Sequence, residues 1–125
     1  MTAKLIFSVI NLFYLAVGCI MAELFTLSAL FPGKYEGLQI FEIIMVMGNP
    51  GHKFWNKFDL PNEIKQTFIS LEDIKPQDLK MILNKYNEYD KEFIVQASDL
   101  LGNLIKMDPE DRYDSIKALN HKFFK

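Results

Sequence analysis

Residues 5–31 read LIFSVINLFYLAVGCIMAELFTLSALF, and this stretch decides the fold because it carries a single charged residue, Glu23. A segment this apolar must leave water. It is buried either inside a lipid bilayer or within a helical domain whose other helices cover it on all sides. The rest of the chain is more polar and falls into shorter segments, so its interpretation depends on which burial applies.

Length, composition and charge limit the classes of protein that fit. The chain has 125 residues, of which 50% are hydrophobic, and its formal net charge is -2. One domain with one core is expected, and the near-neutral charge gives no electrostatic basis for binding nucleic acid. Cys19 is the single cysteine, which excludes an intrachain disulfide and predicts an intracellular, reducing compartment, cytoplasmic or nuclear. His52 and His121 lack companions at ligand spacing, so no metal site is predicted.

The membrane interpretation rests on the uncharged run from Leu5 to Ala22, which follows Lys4 and is long enough to span a bilayer. Asn11 and Gly18 interrupt this run, and Glu23 follows it. No basic cluster and no small-residue cleavage site comes after it. A small membrane-anchored helical protein therefore stays open as an alternative, and a helical domain is favoured.

The first part of the chain predicts two long helices. The first runs from about Leu5 to Leu27 and ends before the turn Phe31-Pro32-Gly33. The second covers Gly37 to Met47, where Gln39 and Glu42 lie three residues apart and share one exposed strip.

The segment from His52 to Ser70 is irregular, and a loop with one or two helical turns is expected there. Pro61 is placed to open one of these turns. The predicted anchors are aromatic: Phe54, Trp55, Phe58 and Phe68.

The second part of the chain predicts three further helices. Pro76 suits the first position of a short helix that has Asp78 in its first turn and extends to Tyr86. The last helix runs from about Asp111 to Leu119. Between them lies the clearest helical stripe of the sequence: Phe93, Ile94, Ala97, Leu100, Leu101, Leu104 and Ile105. Since no segment alternates like a strand, the predicted fold is an all-α domain around the first helix.

Four segments carry a resemblance to a known family. In chain order they are Gly18-Cys19-Ile20-Met21-Ala22-Glu23-Leu24, then Leu30-Phe31-Pro32-Gly33 with Phe41-Glu42-Ile43-Ile44, then Asp108-Pro109-Glu110-Asp111-Arg112, and last Ala118-Leu119-Asn120-His121-Lys122-Phe123-Phe124. They resemble the F helix, the following loop and G helix, the Asp-Pro-x-x-Arg signature between helices H and I, and the closing Ala-Leu-x-His-x-Phe-Phe of the C-terminal lobe of a eukaryotic protein kinase.

The resemblance covers about Leu15 to Phe124. It implies a partial kinase domain over residues 15–125, with residues 1–14 as an atypical N-terminal extension that continues into the first helix. The segment from Asn49 to Asp90 is similar to the insert of the CMGC group, which contains cyclin-dependent, mitogen-activated and glycogen-synthase kinases. The implied fold is the helical C-lobe subdomain of helices F, G, H and I plus insert, around a long apolar central helix.

The sequence lacks the motifs on which phosphoryl transfer depends. No Gly-x-Gly-x-x-Gly, Val-Ala-Ile-Lys, His-Arg-Asp or Asp-Phe-Gly string occurs in it. The complete family uses ATP and Mg, and neither is expected to bind this chain alone. The family's Asp-x-Trp, whose aspartate holds the catalytic loop, falls on Phe13 and Leu15. Arg112 is expected to stay solvated or to pair with Glu23, Asp108 or another acid, because its family partner, the glutamate of Ala-Pro-Glu, does not occur here.

The candidate site residues form two sets, and neither contains a catalytic residue. A possible substrate or partner surface comprises Glu23, Gln39, Glu42 and Trp55. The family's structural motif comprises Gly18, Cys19, Asp108, Pro109, Arg112 and His121. Glu23 matches a glutamate of the peptide groove in some related kinases, although a carboxylate near a helix end also suits plain exposure to solvent. Trp55 is expected either to anchor a partner or to pack into the core beneath its loop. Cys19 lies in an apolar helix, which predicts a raised pKa of its thiol.

Two functions remain open. The first is a fragment of a serine/threonine kinase, which supports the catalytic loop of a complete enzyme and offers surfaces to substrates and regulatory proteins. The second is a noncatalytic binding module or pseudokinase-like fragment that uses the same surfaces. Both require protein partners or the missing kinase segments.

Overall fold

A computed structural model describes the backbone of residues 3–34, 36–57, 59 and 61–125, and the side chains of residues 14–34, 40–57, 59 and 61–125. Within these residues the chain is helical and has no strand, which confirms the all-α prediction. The α-helices are α1 Ala3–Thr26, α2 Glu36–Met47, α3 His52–Trp55, α4 Asn62–Ser70, α5 Leu79–Leu83, α6 Lys91–Leu104 and α7 Ser115–Leu119. Short 3₁₀ turns cover Pro109–Asp111 and Lys122–Phe124.

The chain divides into two compact units. The first contains Met1–Leu30 and Asp78–Lys125, and with them α1, α5, α6 and α7. The second contains Phe31–Gln77, and with it α2, α3 and α4.

Helix α6 forms the core of the first unit. Six of the seven residues in its predicted stripe are buried, namely Ile94, Ala97, Leu100, Leu101, Leu104 and Ile105, and Phe93 lies at the edge of the stripe. Helices α1 and α5 both pack against α6. An amphipathic pattern with a 3.6-residue period thus becomes one buried face, as predicted.

Helix α1 approaches α6 at Gly18. A Cβ atom added to Gly18 would lie 2.5 Å from Cγ2 of Ile105 and 3.1 Å from Cβ of Leu104, so no side chain fits between the helices at this point. Ala22 and Thr26 follow at intervals of four residues on the same helical face and are also buried. The Thr26 hydroxyl donates a hydrogen bond to the Ala22 carbonyl oxygen at 3.0 Å, which satisfies its buried polar group inside the helix.

The opposite face of α1 is uncovered. On the helix Val17 is 40% exposed, Ile20 59% and Leu24 72%, and Leu27, the residue directly after α1, is 77% exposed. The prediction that other helices cover α1 on all sides is therefore not confirmed over its described side chains, because α5, α6 and the Pro109–Asp111 turn all contact the helix without covering these residues. In the part of the chain that the structure describes, no helix combines the length and apolarity needed to cross a membrane.

The second unit is built on aromatic packing around Asn49. Trp55 and Phe68 stack with ring centroids 4.6 Å apart. The Asn49 side chain donates to the Phe68 carbonyl oxygen at 2.7 Å and accepts from the Trp55 indole N–H at 2.9 Å. Because α3 and α4 carry these aromatic residues, the described part of residues 52–70 is more helical than the predicted loop, and the predicted anchor Phe58 lies outside the described residues. Pro61 precedes the first residue of α4, as expected.

Pro76 was predicted to begin a helix, and this prediction is wrong. Its ring lies against Gly48, whose φ of +83° and 2.8 Å Cβ approach to Pro76 Cδ leave room for glycine only. Gln77 makes two hydrogen bonds to the end of α2. Its backbone N–H donates to the Val46 carbonyl oxygen at 2.8 Å, and its side chain donates to the Met45 carbonyl oxygen at 2.9 Å. These contacts satisfy carbonyl groups at the end of α2 and keep Gln77 out of a helix.

Two other helix boundaries differ from the prediction for one shared reason, which is capping by an aspartate. Asp78 caps α5 by accepting from the Lys80 N–H, and α5 ends at Leu83, before Tyr86. Asp114 caps α7 by accepting from the Lys117 N–H, so α7 begins at Ser115, later than predicted. An aspartate that binds backbone N–H groups ahead of it stands before a helix and not inside its first turn.

Candidate functional site

Arg112 closes the end of α6. The helix ends at Leu104, and the carbonyl groups that follow have no helical N–H to accept from. The Arg112 Nε–H donates to the Lys106 carbonyl oxygen at 2.7 Å, and Nη2 donates to the Met107 carbonyl oxygen at 3.3 Å. The guanidinium therefore binds backbone carbonyl oxygens, in addition to the solvent or acidic side chains expected from the sequence.

The Asp108-Pro109 turn brings Arg112 back to these carbonyl groups. Asp108 caps the 3₁₀ turn by accepting from the Glu110 N–H at 3.0 Å, and Pro109 occupies the first position, where no N–H is needed. The Tyr113 N–H then donates to the Asn103 carbonyl oxygen at 2.8 Å. The Asp-Pro-x-x-Arg spacing thus forms a compact loop that folds back on the end of α6.

Cys19 and Arg112 influence each other electrostatically. Burial raises the pKa of the Cys19 thiol, and the positive charge of Arg112 partly opposes this effect. Burial also lowers the pKa of Arg112, while Asp108 and then Cys19 favour its charged form. The Cys19 pKa moves in the direction expected for a thiol in an apolar helix, which keeps it protonated and weakly nucleophilic near neutral pH.

His121 connects the end of the chain to α6. Its Nδ1 accepts a hydrogen bond from the Phe123 N–H at 3.0 Å, and its Nε2 lies 2.7 Å from Oδ2 of Asp99. In the neutral ring one nitrogen accepts and the other donates. Since Nδ1 accepts, Nε2 carries the proton and donates a hydrogen bond to the Asp99 carboxylate. Both nitrogen atoms are engaged, so the geometry is that of a structural cap on the Lys122–Phe124 turn.

The four residues predicted as a partner surface occupy different environments. Glu23 is exposed on α1, in the first unit. In the second unit, Glu42 is half-buried and its Oε2 accepts from the Gly33 N–H at 2.7 Å. Trp55 is only 4% exposed, because the indole packs against Phe68 and binds Asn49, so its side chain belongs to the core. The side chain of Gln39 lies outside the described residues.

An apolar groove of about 450 Å³ runs along the uncovered face of α1. Its walls come from α1, α6, α7 and the final 3₁₀ turn, through residues such as Val17, Leu24, Leu104, Leu119 and Phe124. Leu119 and Phe124 are exposed there. Sequence reasoning did not identify this groove, because an apolar pattern does not show which apolar residues lack a cover. Among the described residues, no group of three His, Cys, Asp or Glu side chains could hold a metal ion.

Comparison with known proteins gives consistent matches for almost the whole chain. It is 34% identical over 111 residues to a probable serine/threonine-protein kinase of Dictyostelium discoideum, covering 88% of this chain and 20% of that protein. It is 36% identical over 110 residues to cyclin-dependent kinase F-3 of Oryza sativa subsp. japonica, covering 87% of this chain and 23% of that kinase. The identity to human cyclin-dependent kinase 20 is 34% over 110 residues, with 87% of this chain and 29% of that kinase covered.

The chain thus spans between a fifth and a third of the length of these curated relatives. No family model matches it. The matched relatives are serine/threonine kinases, two of them of the cyclin-dependent type, and the described fold is all-helical. The chain therefore belongs to the CMGC group of serine/threonine protein kinases, as a partial region from the C-terminal lobe of the kinase domain.

Proposed function

We propose that this chain forms the helical support of a serine/threonine kinase domain and does not transfer phosphate by itself. One observation carries the proposal: the match covers 87% or more of this chain but at most 29% of the relatives cited. A kinase needs a phosphate-covering loop, a strand lysine and two metal-associated side chains in addition to helices. In the complete protein, the remaining segments would supply these parts together with ATP and Mg.

The geometry of the first unit supports this role. Gly18 brings α1 into contact with α6, and Arg112 holds the loop that follows α6. His121 connects the last turn to Asp99 on α6. These contacts pack α1, the helix in which the family's loop-holding aspartate would lie, against α6, and well-packed elements are what catalytic loops need beneath them.

A direct assay tests the proposal that the chain does not transfer phosphate by itself. The purified chain, incubated with ATP, Mg and a general protein substrate, is expected to give no phosphoryl transfer above a heat-denatured control, because no nucleotide-binding motif occurs in the sequence. Turnover that is lost on denaturation would contradict it.

A graft tests the proposal that the chain forms the helical support of a kinase domain. Residues 15–125 would replace the matched region of human cyclin-dependent kinase 20, which leaves the host residue in place where this chain has Phe13. The chimera is expected to fold, to bind ATP and to phosphorylate a general substrate. A second graft that begins at Phe13 removes the host's counterpart of the family aspartate. Its kinase activity should fall about ten-fold or more, while its ATP binding stays unchanged. An unfolded first chimera beside a folded host would contradict the supporting role.

The apolar groove beside α1 favours a second candidate function, that of a noncatalytic protein-binding module. Its partner would be a protein surface or the missing kinase segments. Localisation inside the cell, cytoplasmic or nuclear, is part of both proposals and follows from the kinase relationship. Fractionation of cells that express the tagged chain tests it, and recovery in the secreted fraction would contradict it.

A further inference from the structure

We propose that His121 is a pH-sensitive switch. Its neutral ring holds the Lys122–Phe124 turn in the wall of the apolar groove, and its protonated ring releases the turn. The proposal rests on the two nitrogen atoms of one ring, so it does not depend on the kinase function proposed above.

The hydrogen bonds of His121 allow only one neutral form of its ring. A backbone N–H can donate but cannot accept, so Nδ1, which lies 3.0 Å from the Phe123 nitrogen, must carry a free electron pair. An ionised carboxylate can only accept, so the ring proton lies on Nε2, 2.7 Å from Oδ2 of Asp99. An added proton can therefore bind only at Nδ1. There it would point at the Phe123 N–H, and the cap on the turn would be lost.

The charged and titratable groups around the ring come from every element that packs against it. They are Asp99 on α6, Tyr113 in the loop before α7, Lys117 on α7 and Lys122 in the turn itself. The bond to Asp99 survives protonation, because Nε2 donates in both states of the ring. The ring therefore stays attached to α6 at either pH, and the turn is the part that changes.

The Lys122–Phe124 turn connects the switch to the groove. Phe123 packs against Phe93 of α6 with ring centroids 5.3 Å apart, and Phe123 and Phe124 both line the groove. A side-chain acceptor at the start of a helix typically stabilises that start by a factor of about five. Loss of the acceptor at Nδ1 should therefore loosen one wall of the groove and leave α6 folded.

NMR titration and amide exchange of the full chain between about pH 8 and about pH 5 test the proposal, because histidine side chains gain their proton in this range. As the Cε1–H signal of His121 shifts, the protection factor of the Phe123 amide should fall about five-fold or more. The contact between the Phe93 and Phe123 rings should weaken in step. The amide of Leu101, in the middle of α6, should keep its protection.

Two variants separate the switch from other effects of pH. His121→Asn supplies a capping residue that gains no proton, so its Phe123 amide should stay protected over the whole range. His52→Asn is the matched control, because His52 is the other histidine of the chain and lies in the second unit with its side chain 60% exposed. It should leave the pH response of Phe123 unchanged.

Constant protection of the Phe123 amide while the His121 ring titrates would overturn the proposal, and so would a ring that stays neutral down to about pH 5. An equal loss of protection at Phe123 and Leu101 would overturn it too, because it would show unfolding of the whole unit. The unmodified chain decides these three outcomes, so the test stays valid if His121→Asn fails to fold. In a folded His121→Asn, an unchanged pH response would assign the effect to another group and contradict the switch.

Discussion

Helices α1 and α6 lie against each other, but they place their large side chains in opposite ways. In α1, the small residue Gly18 makes this contact, Ala22 and Thr26 are buried on the same face, and the exposed Leu24 lies on the opposite face. On the other side, Leu101 of α6 and Ile105, the residue directly after α6, are fully buried and lie against Gly18. The close approach explains the difference: when one helix brings bulky residues to the contact, the other must bring small ones. The four predictions below test this asymmetry, from the largest effect to the smallest.

The largest effect is expected from truncating leucines on the two helices. Leu101→Ala should lower the free energy of unfolding by about 3 kcal/mol, because it leaves a cavity in the core. Leu24→Ala removes the same atoms from an exposed site and should cost less than about 0.5 kcal/mol in dilute solution. Urea denaturation of both variants gives the comparison, and equal losses would show that α1 has no uncovered face.

A pair of glycines tests the contact itself. Gly18→Ala should cost about 2 kcal/mol, because the new methyl group meets Ile105 at 2.5 Å and the core must shift. Gly102→Ala is the control: on α6 the new methyl group meets only Leu79, at 3.4 Å, so it should stabilise the chain by up to about 1 kcal/mol through helix propensity. Thermal unfolding of both variants measures the difference, and a neutral Gly18→Ala would contradict the close approach.

A smaller effect is expected at the end of α6. Arg112→Met keeps much of the side-chain length but removes both hydrogen bonds to the Lys106 and Met107 carbonyl oxygens. The expected loss is about 1–2 kcal/mol, since each carbonyl regains only part of its bonding from water. Amide exchange should increase most in residues 103–113, and an increase spread evenly over the chain would contradict a local role.

The smallest effect is a pH dependence that arises from Cys19 on α1. Because burial raises the folded-state pKa above the ordinary value of 9.0, the unfolded chain loses the thiol proton first as the pH rises. The stability contributed by the neutral thiol is full below that value and declines as the pH rises through the folded-state pKa. Cys19→Ala should lack this decline, and Arg112→Met should enlarge it and extend it to higher pH, because Arg112 opposes the raised folded-state pKa while the unfolded-state pKa stays the same.

Urea denaturation of the three proteins between about pH 8 and pH 10.5 measures the effect, with lysine and tyrosine titration common to all of them. Identical pH profiles for the unmodified chain and Cys19→Ala would show that the thiol is not buried in the folded chain.

The sequence predicts the fold best where a pattern has one physical solution. The stripe on α6 requires one buried face, and its residues from Ile94 onward fill that face. The apolar sequence of α1 is ambiguous, because nearly every face could be buried, and the position of Gly18 alone indicates which face touches another helix. The predicted helix start at Pro76 was wrong because the packing of Pro76 against Gly48 joins residues that are far apart in the sequence.

The candidate site follows the same division. The loop formed by Asp108 and Pro109 is local and follows from their sequence spacing. The bonds from Arg112 to carbonyl groups depend on where α6 ends, and boundaries are set by capping contacts that composition does not reveal. The groove beside Leu24 and Leu119 could not be predicted, because it depends on which surfaces remain uncovered after folding.

Carbene footprinting of the full chain tests the central claim most directly, namely that α1 has one packed face and one open face. In dilute solution, labelling is predicted at Ile20, Leu24 and Leu27, with protection of Leu101 and Leu104 on α6 and of Ile105 directly after it. Protection of Leu24 and Leu27 at high dilution, at the level seen for Leu101, would contradict the account.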